Sequence, residues 1–266
     1  MSWIEVHGRD VHLEALDFGG SSSGGDTLLL HGLAGTALEW KQTATWLAEG
    51  HHVVALDQRG HGRSERRPAD LSRAAFLADA VAAIEGLQLA PVSLVGQSLG
   101  GHTALLLASE RPDLVRALVV AEASPAEVES GAPERVGGLL SGWPVPFPTR
   151  EAALEFFGGD TPRARAWVEN LDRTDDGLVP AFDVDVMVTA LEAAREAAWK
   201  EWAAIRAPAL VVRGENGDMD ADEADAMLRA LPSAELVTIP GAGHDVHLDV
   251  PEAWRGALEG FLARLS

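Results

Sequence analysis

The chain contains no cysteine. That excludes disulfides, zinc–thiolate sites and a cysteine nucleophile together, while favouring neither redox compartment. No apolar run approaches the ~20 residues that a bilayer-spanning helix requires. The opening MSWIEVHGRD lacks the basic start and apolar stretch of a signal peptide, so the expectation is a soluble, cytoplasmic protein. Basic residues are scarce as well. There are 21 against 41 acidic ones, for a formal net charge of −20, and only Lys41 and Lys200 are lysine. Such a surface repels phosphate backbones and anionic headgroups, which argues against a nucleic-acid or membrane partner. Its plainest role is solubility.

What is present is a substantial apolar fraction, 47% of 266 residues, enough for one large core. Short aliphatic runs alternate with helical patterns. Trp3–Val6 and Val11–Leu16 read as an opening hairpin. Thr27–Leu30, His52–Leu56, Val92–Val95 and Ala117–Val120 read as strands, separated by helices near Ala37–Glu49, Leu71–Leu87 and Leu99–Ser109. Continuous rather than alternating apolar runs suit parallel strands buried on both faces. Strands separated by helices imply right-handed βαβ units in a doubly wound sheet. From Ser124 to Arg206 no strand is expected. The Gly/Pro-rich passage GGLLSGWPVPFP leads into helical patterns near Arg150–Phe157, Pro162–Asn170 and Val184–Ile205, with four of the eight tryptophans. The βα rhythm then resumes with Ala209–Arg213, a helix near Ala221–Leu231, Glu235–Ile239 and a final helix Glu252–Leu265.

The strongest chemical signal is VSLVGQSLGG at 92–101, a strand, then Gly96-Gln97-Ser98-Leu99-Gly100, then a helix. This is the G-x-S-x-G elbow in the strand–turn–helix context it requires. Ser98 would stand at a helix N-terminus, where free N–H groups favour a developing oxyanion. The bland reading is a glycine-rich helix start with an incidental serine. A serine nucleophile needs a base. Among nine histidines, His244 follows the strand Val237–Ile239 through Pro240-Gly241-Ala242-Gly243, at the sheet edge where ligands bind. His247 is the nearby competitor.

A carboxylate should orient the imidazole. Asp218, in the turn Gly214-Glu215-Asn216-Gly217-Asp218 after its strand, is the first choice, because Ser98, Asp218, His244 follows the serine–acid–histidine order of this elbow. Glu122, ending the strand Ala117–Val120 on the same edge, is the rival. The run Asp218, Asp220, Asp222 is not a calcium loop, since Glu223 stands where glycine is needed and Arg229 where glutamate is needed. An oxyanion hole would use the N–H of Leu99 and, from HGLAGT at 31–36, that of Leu33. An ordinary strand-to-helix turn would look the same there. No metal or cofactor is called for.

HGLAGT, DQRGHGRS at 57–64, GQSLGG, GENGD and GAGH occur together in the order of lid-bearing α/β-hydrolases, and the chain resembles that family from about Asp26 to the C-terminus, except in the lid. The resemblance implies an α/β-hydrolase fold. Its core would be a mostly parallel eight-stranded sheet flanked by helices, residues 1–123 and 207–266, with a helical lid, 124–206, inserted after the sixth strand. It also implies that Asp57 and His61 are structural, and that some similar lactonases take their acid from the position of Glu122. Gln97 stands where many relatives have histidine. The implied activity is hydrolysis of a small-molecule carboxylic ester or lactone. A serine-triad carbon–carbon hydrolase, lyase or perhydrolase would keep the same triad. A non-catalytic ligand receptor on the same scaffold would too. Haloalkane dehalogenases and epoxide hydrolases are set aside, because their elbow carries aspartate where Ser98 stands. Trp143, Phe147, Trp167, Phe182 and Met187 of the lid are the expected substrate contacts, favouring an apolar group. The same residues would serve equally as lid core.

Overall fold

The computed structural model describes residues 1–89 and 91–265. Ala90 and Ser266, both within the expected core, lie outside the described residues. In chain order the strands and helices are β1 (Ser2–His7), β2 (His12–Gly20), β3 (Asp26–Leu30), α1 (Lys41–Leu47), β4 (His52–Asp57), α2 (Arg73–Gly86), β5 (Val92–Gln97), α3 (Leu99–Glu110) and β6 (Val115–Ala121). Next come α4 (Ala132–Ser141), α5 (Arg150–Phe156), α6 (Pro162–Glu169), β7 (Leu171–Thr174), β8 (Gly177–Pro180), α7 (Val184–Ala193) and α8 (Trp199–Ala204). The chain closes with β9 (Ala209–Gly214), α9 (Ala221–Ala230), β10 (Glu235–Ile239), α10 (Val246–Asp249) and α11 (Pro251–Ala263).

Eight strands form one sheet in the order β1-β2-β4-β3-β5-β6-β9-β10. β2 runs antiparallel to both neighbours and the remaining pairs are parallel. The pleat explains the continuous apolar runs. Leu28, Leu30, Val54, Leu56, Leu94 and Val120 face one layer of helices. Their chain neighbours Leu29, Val53, Ala55, Val95 and Val119 face the other. Each such side chain, fully withdrawn from water, contributes about 1.5–3 kcal/mol. The strand ends stand in register along one edge: Gln97 beside Ala121, Ala121 beside Val212, and Gly214 beside Ile239. Every loop invoked for chemistry therefore leaves the same rim.

The 124–206 segment sits on that rim. Thr36 Oγ1 donates to Asn170 Oδ1 at 2.6 Å, Trp167 Nε1 to Asp245 Oδ2 at 2.9 Å, and the Gly62 N–H to Ala181 O at 2.9 Å. Arg66 reinforces the join, with Nε on Asp183 Oδ1 at 2.8 Å and Nη2 on the carbonyls of Pro180 and Phe182. The expectation of no strand here is corrected by the antiparallel hairpin β7–β8, whose turn is Asp175-Asp176. Two further differences arise in this segment. Five of the twelve residues of the Gly/Pro-rich passage are helical, as the end of α4. The long expected helix 184–205 breaks into α7 and α8, because the Arg195 carbonyl and the Ala198 N–H pair with Val128 and Pro125 instead of continuing the helix. Among the described residues no helix is long and apolar enough to cross a membrane.

One buried ion pair anchors the DQRGHGRS loop. Arg59 grips Asp79 of α2 through Nε and Nη2, each at 2.6 Å, with both side chains almost fully buried, and Nη1 donates to Asp70 O at 2.7 Å. Removing one partner strands the other charge in the interior. Asp79→Ala is therefore expected to lower unfolding free energy by about 3–5 kcal/mol in urea titrations. A loss under ~1 kcal/mol would show that water reaches the guanidinium.

Candidate active site

Ser98 joins β5 to α3 with φ 49° and ψ −116°, a conformation that side-chain-bearing residues rarely adopt. The turn is held from both sides. The Ser98 N–H donates to Ala121 O at 2.9 Å, and Ser98 O accepts the first α3 bond from His102 N at 3.0 Å. Gly100 lies so close to β3 that a Cβ there would overlap the carbonyl oxygens of Leu30 and His31. The half-exposed serine is thus presented above the rim. As the first residue of α3, Leu99 has an N–H without a helical partner.

The HGLAGT loop at 31–36 is stiffened from beneath. The His31 ring is buried. Its Nε2 accepts from Gln58 N at 3.0 Å, so Nδ1 carries the proton and donates to Gly32 O at 2.8 Å. Burial, with the neighbouring His61, holds His31 well below the usual imidazole range and keeps it neutral. Asp57 accepts from the N–H groups of Ala37 and Arg63 at 2.6 and 2.7 Å, and burial pushes its carboxyl up to about 6. The side chains of Leu33 and Leu99, the two residues expected at the oxyanion hole, pack in one apolar cluster with Phe76, Leu71 and Ala190.

His244 leaves β10 on the same rim. Its Nδ1 lies 3.4 Å from Glu122 Oε2 and 3.2 Å from Asp218 Oδ2, so both candidate acids reach one nitrogen. Their surroundings differ sharply. Asp218 is 84% exposed, whereas the Glu122 side chain is fully buried. Glu122 accepts from Gly214 N at 2.7 Å, Asp218 N at 2.7 Å and Met219 N at 3.2 Å. The GENGD turn wraps this carboxylate so tightly that a Cβ at Gly217 would overlap it. Glu122 itself has φ 48°, a left-handed conformation on the rim shared with Ser98 and with Ala34 at φ 65°. Burial draws the His244 pKa down, but the hydrogen bond to Glu122 and the charges of Asp218, Asp245 and Glu122 outweigh it and raise the imidazole above its usual value. No direct hydrogen bond joins Ser98 Oγ to His244 among the described residues. The link between elbow and histidine turn is Gln97, whose Nε2 donates to His244 O at 3.1 Å.

His247, the competitor, is buried elsewhere. It stacks on Trp40 at 4.3 Å between ring centroids, with Nε2 3.3 Å from Glu39 Oε1. Beside Asp245 opens a groove of about 520 Å³ lined by Leu139, Trp143, Phe156, Phe157, Arg163 and Trp167. Of the five expected substrate contacts, Trp143 and Trp167 line it. Phe147 packs with Leu154 and Val168 inside the segment, and Phe182 and Met187 pack with Ala34 and Val186. Phe156 and Phe157, adjacent aromatics outside the five expected contacts, also line the groove, and no periodicity discloses their place there. Among the described residues no three His, Asp or Glu side chains converge as a metal site.

Residues 27–257 match the model of the alpha/beta hydrolase family. The chain belongs to that family. It is 31% identical over 265 residues to the sn-1-specific diacylglycerol lipase of Mus musculus, covering 89% of this chain and 80% of the lipase. It is 26% identical to the 2-(acetamidomethylene)succinate hydrolase of Mesorhizobium japonicum, over 95% and 93% of the two chains. The crystal structure of E-2-(acetamidomethylene)succinate hydrolase superposes with a TM-score of 0.86 at 25% identity, covering 98% of this chain and all of that one. Relatives of this hydrolase therefore include an acylglycerol lipase and a hydrolase of a substituted succinate, on one fold.

Proposed function

We propose that this hydrolase cleaves a small to medium carboxylic ester or lactone through an acyl-enzyme on Ser98. Ser98 Oγ attacks the carbonyl carbon as His244 Nε2 takes its proton. The N–H groups of Leu99 and Leu33 receive the oxyanion. When the intermediate collapses, His244 returns the proton to the departing alkoxide. A water, deprotonated by His244, then attacks the acyl carbon, and the acid leaves with Ser98 restored. None of these steps calls for a metal or organic cofactor. Residues 124–206 act as a cap, and the aromatic groove between Trp143 and Trp167 receives the apolar part of the substrate.

The acid in this reading is Glu122, reversing the preference that chain order gave to Asp218. An orienting carboxylate must stay charged in one position without water competing for the imidazole proton. Three N–H donors and complete burial give Glu122 that constancy. Asp218, in water, contributes charge rather than orientation. The observation that carries the whole proposal is the strained Ser98 elbow, joined through Gln97 to the turn whose imidazole is anchored on a buried carboxylate.

The test is turnover of a panel of p-nitrophenyl esters and lactones across pH. The working base is neutral His244, and its pKa is raised. kcat/KM should therefore climb with pH through a limb centred above ~6.5 and then level off. Asp218→Asn, by removing a negative charge, should move that limb to lower pH. Failure to turn over any ester or lactone, despite phosphonylation of Ser98, would favour a ligand receptor.

A further inference from the structure

We propose that Gln97 is a positioning residue, whose amide locks the nucleophile elbow, the oxyanion loop and the histidine turn into one unit on which turnover depends. The inference rests on the serine-hydrolase reading above. Gln97 is the last residue of β5 and only 2% exposed. A backbone carbonyl can only accept, so the amide nitrogen must face His244 O, and it does so at 3.1 Å. The other end of the amide, Oε1, lies against Gly32 at the start of the oxyanion loop, in the space a Cβ there would fill.

Gly32 does not adopt the left-handed conformation of Gly60 or Gly62, so its backbone would tolerate alanine. The Gln97 amide is what excludes a side chain. Ser98 Cβ, the next neighbour, would be at an ordinary 3.4 Å. Glycine at 32 and glutamine at 97 are thus two halves of one contact. The elbow is separately tied to β6 through Ser98 N and Ala121 O, and the histidine turn to the GENGD loop through Asn216 N and Ala242 O at 2.8 Å. Gln97 joins these two units directly. It acts through His244 and Gly32, without touching the reacting atoms.

The experiment measures the rate of fluorophosphonate labelling, with kcat and KM for one p-nitrophenyl ester, and uses Ser98→Ala as the blank. Gln97→Met keeps the length and removes the donor. Labelling rate and kcat should fall about 10- to 100-fold, the effect of a buried acceptor left unpaired beside the base, with KM nearly unchanged. Gly32→Ala, by expelling the amide, should produce a similar loss in the otherwise unchanged protein and little further loss in a Gln97→Ala background. Equal Gly32→Ala effects in both backgrounds would overturn the proposal, as would a Gln97→Met protein labelled at the wild-type rate. If Gln97→Met does not fold, Gly32→Ala alone decides, a wild-type labelling rate overturning it. Wild-type protein that takes no label overturns the serine mechanism, and this inference with it. Label on the wild type with an unaffected Gln97→Met overturns this inference alone.

Discussion

Replacing Ser98 by alanine should reduce turnover of an activated ester by about three orders of magnitude or more, with unfolding free energy nearly unchanged. Both effects follow from one geometry. The turn between β5 and α3 sets φ 49° at this position, and alanine, which also bears a Cβ, would share that strain, so only the hydroxyl, which caps no helix N–H, is lost. That hydroxyl is the only atom there able to form the acyl bond. What survives in Ser98→Ala is substrate binding and the Leu99 and Leu33 N–H groups, which without a nucleophile can only polarise a carbonyl toward water. Near-normal turnover by Ser98→Ala would remove the nucleophile from the mechanism.

Glu122→Gln should lower kcat by about 10³- to 10⁴-fold, and Asp218→Asn by less than ~10-fold. Both substitutions delete one charge at nearly constant volume, and both residues contact the same His244 nitrogen, at 3.4 and 3.2 Å. Distance alone would favour Asp218. The difference lies in what holds each carboxylate still. Asp218 is 84% exposed and free to exchange the imidazole for water. Glu122 is fixed by Gly214, Asp218 and Met219 N–H groups, so a glutamine there would turn its NH₂ toward donors already in place and misalign the imidazole. The reverse ranking of the two variants would return the role to Asp218.

That reversal shows where the sequence stops being legible. The elbow, the sheet and His244 are readable because each is announced by a local pattern: a glycine-flanked serine after an aliphatic strand, doubly buried apolar runs, and a histidine following a strand and a glycine turn. The acid of the proposed mechanism depends on which of two carboxylates the GENGD loop folds around. Gly217 is the trace of that choice, since only glycine leaves room for the Glu122 carboxylate, but a glycine in a turn has many explanations. The hairpin β7–β8 left little trace, because its strands are only four residues long and its two-residue turn, Asp175-Asp176, lacks the glycine that marks such loops. The break between α7 and α8 left none. Residues 194–198 are helix formers by composition, and only their pairing with Pro125 and Val128, some seventy residues earlier, unwinds them.

The most direct measurement of the central claim is peptide mapping by mass spectrometry after reaction with a fluorophosphonate, run on the wild type and on His244→Ala. The expected result is a single phosphonyl adduct on the peptide bearing Ser98, formed rapidly in the wild type and orders of magnitude more slowly without the imidazole. An adduct on another residue, or labelling of Ser98 at the same rate in both proteins, would contradict a nucleophile activated by His244.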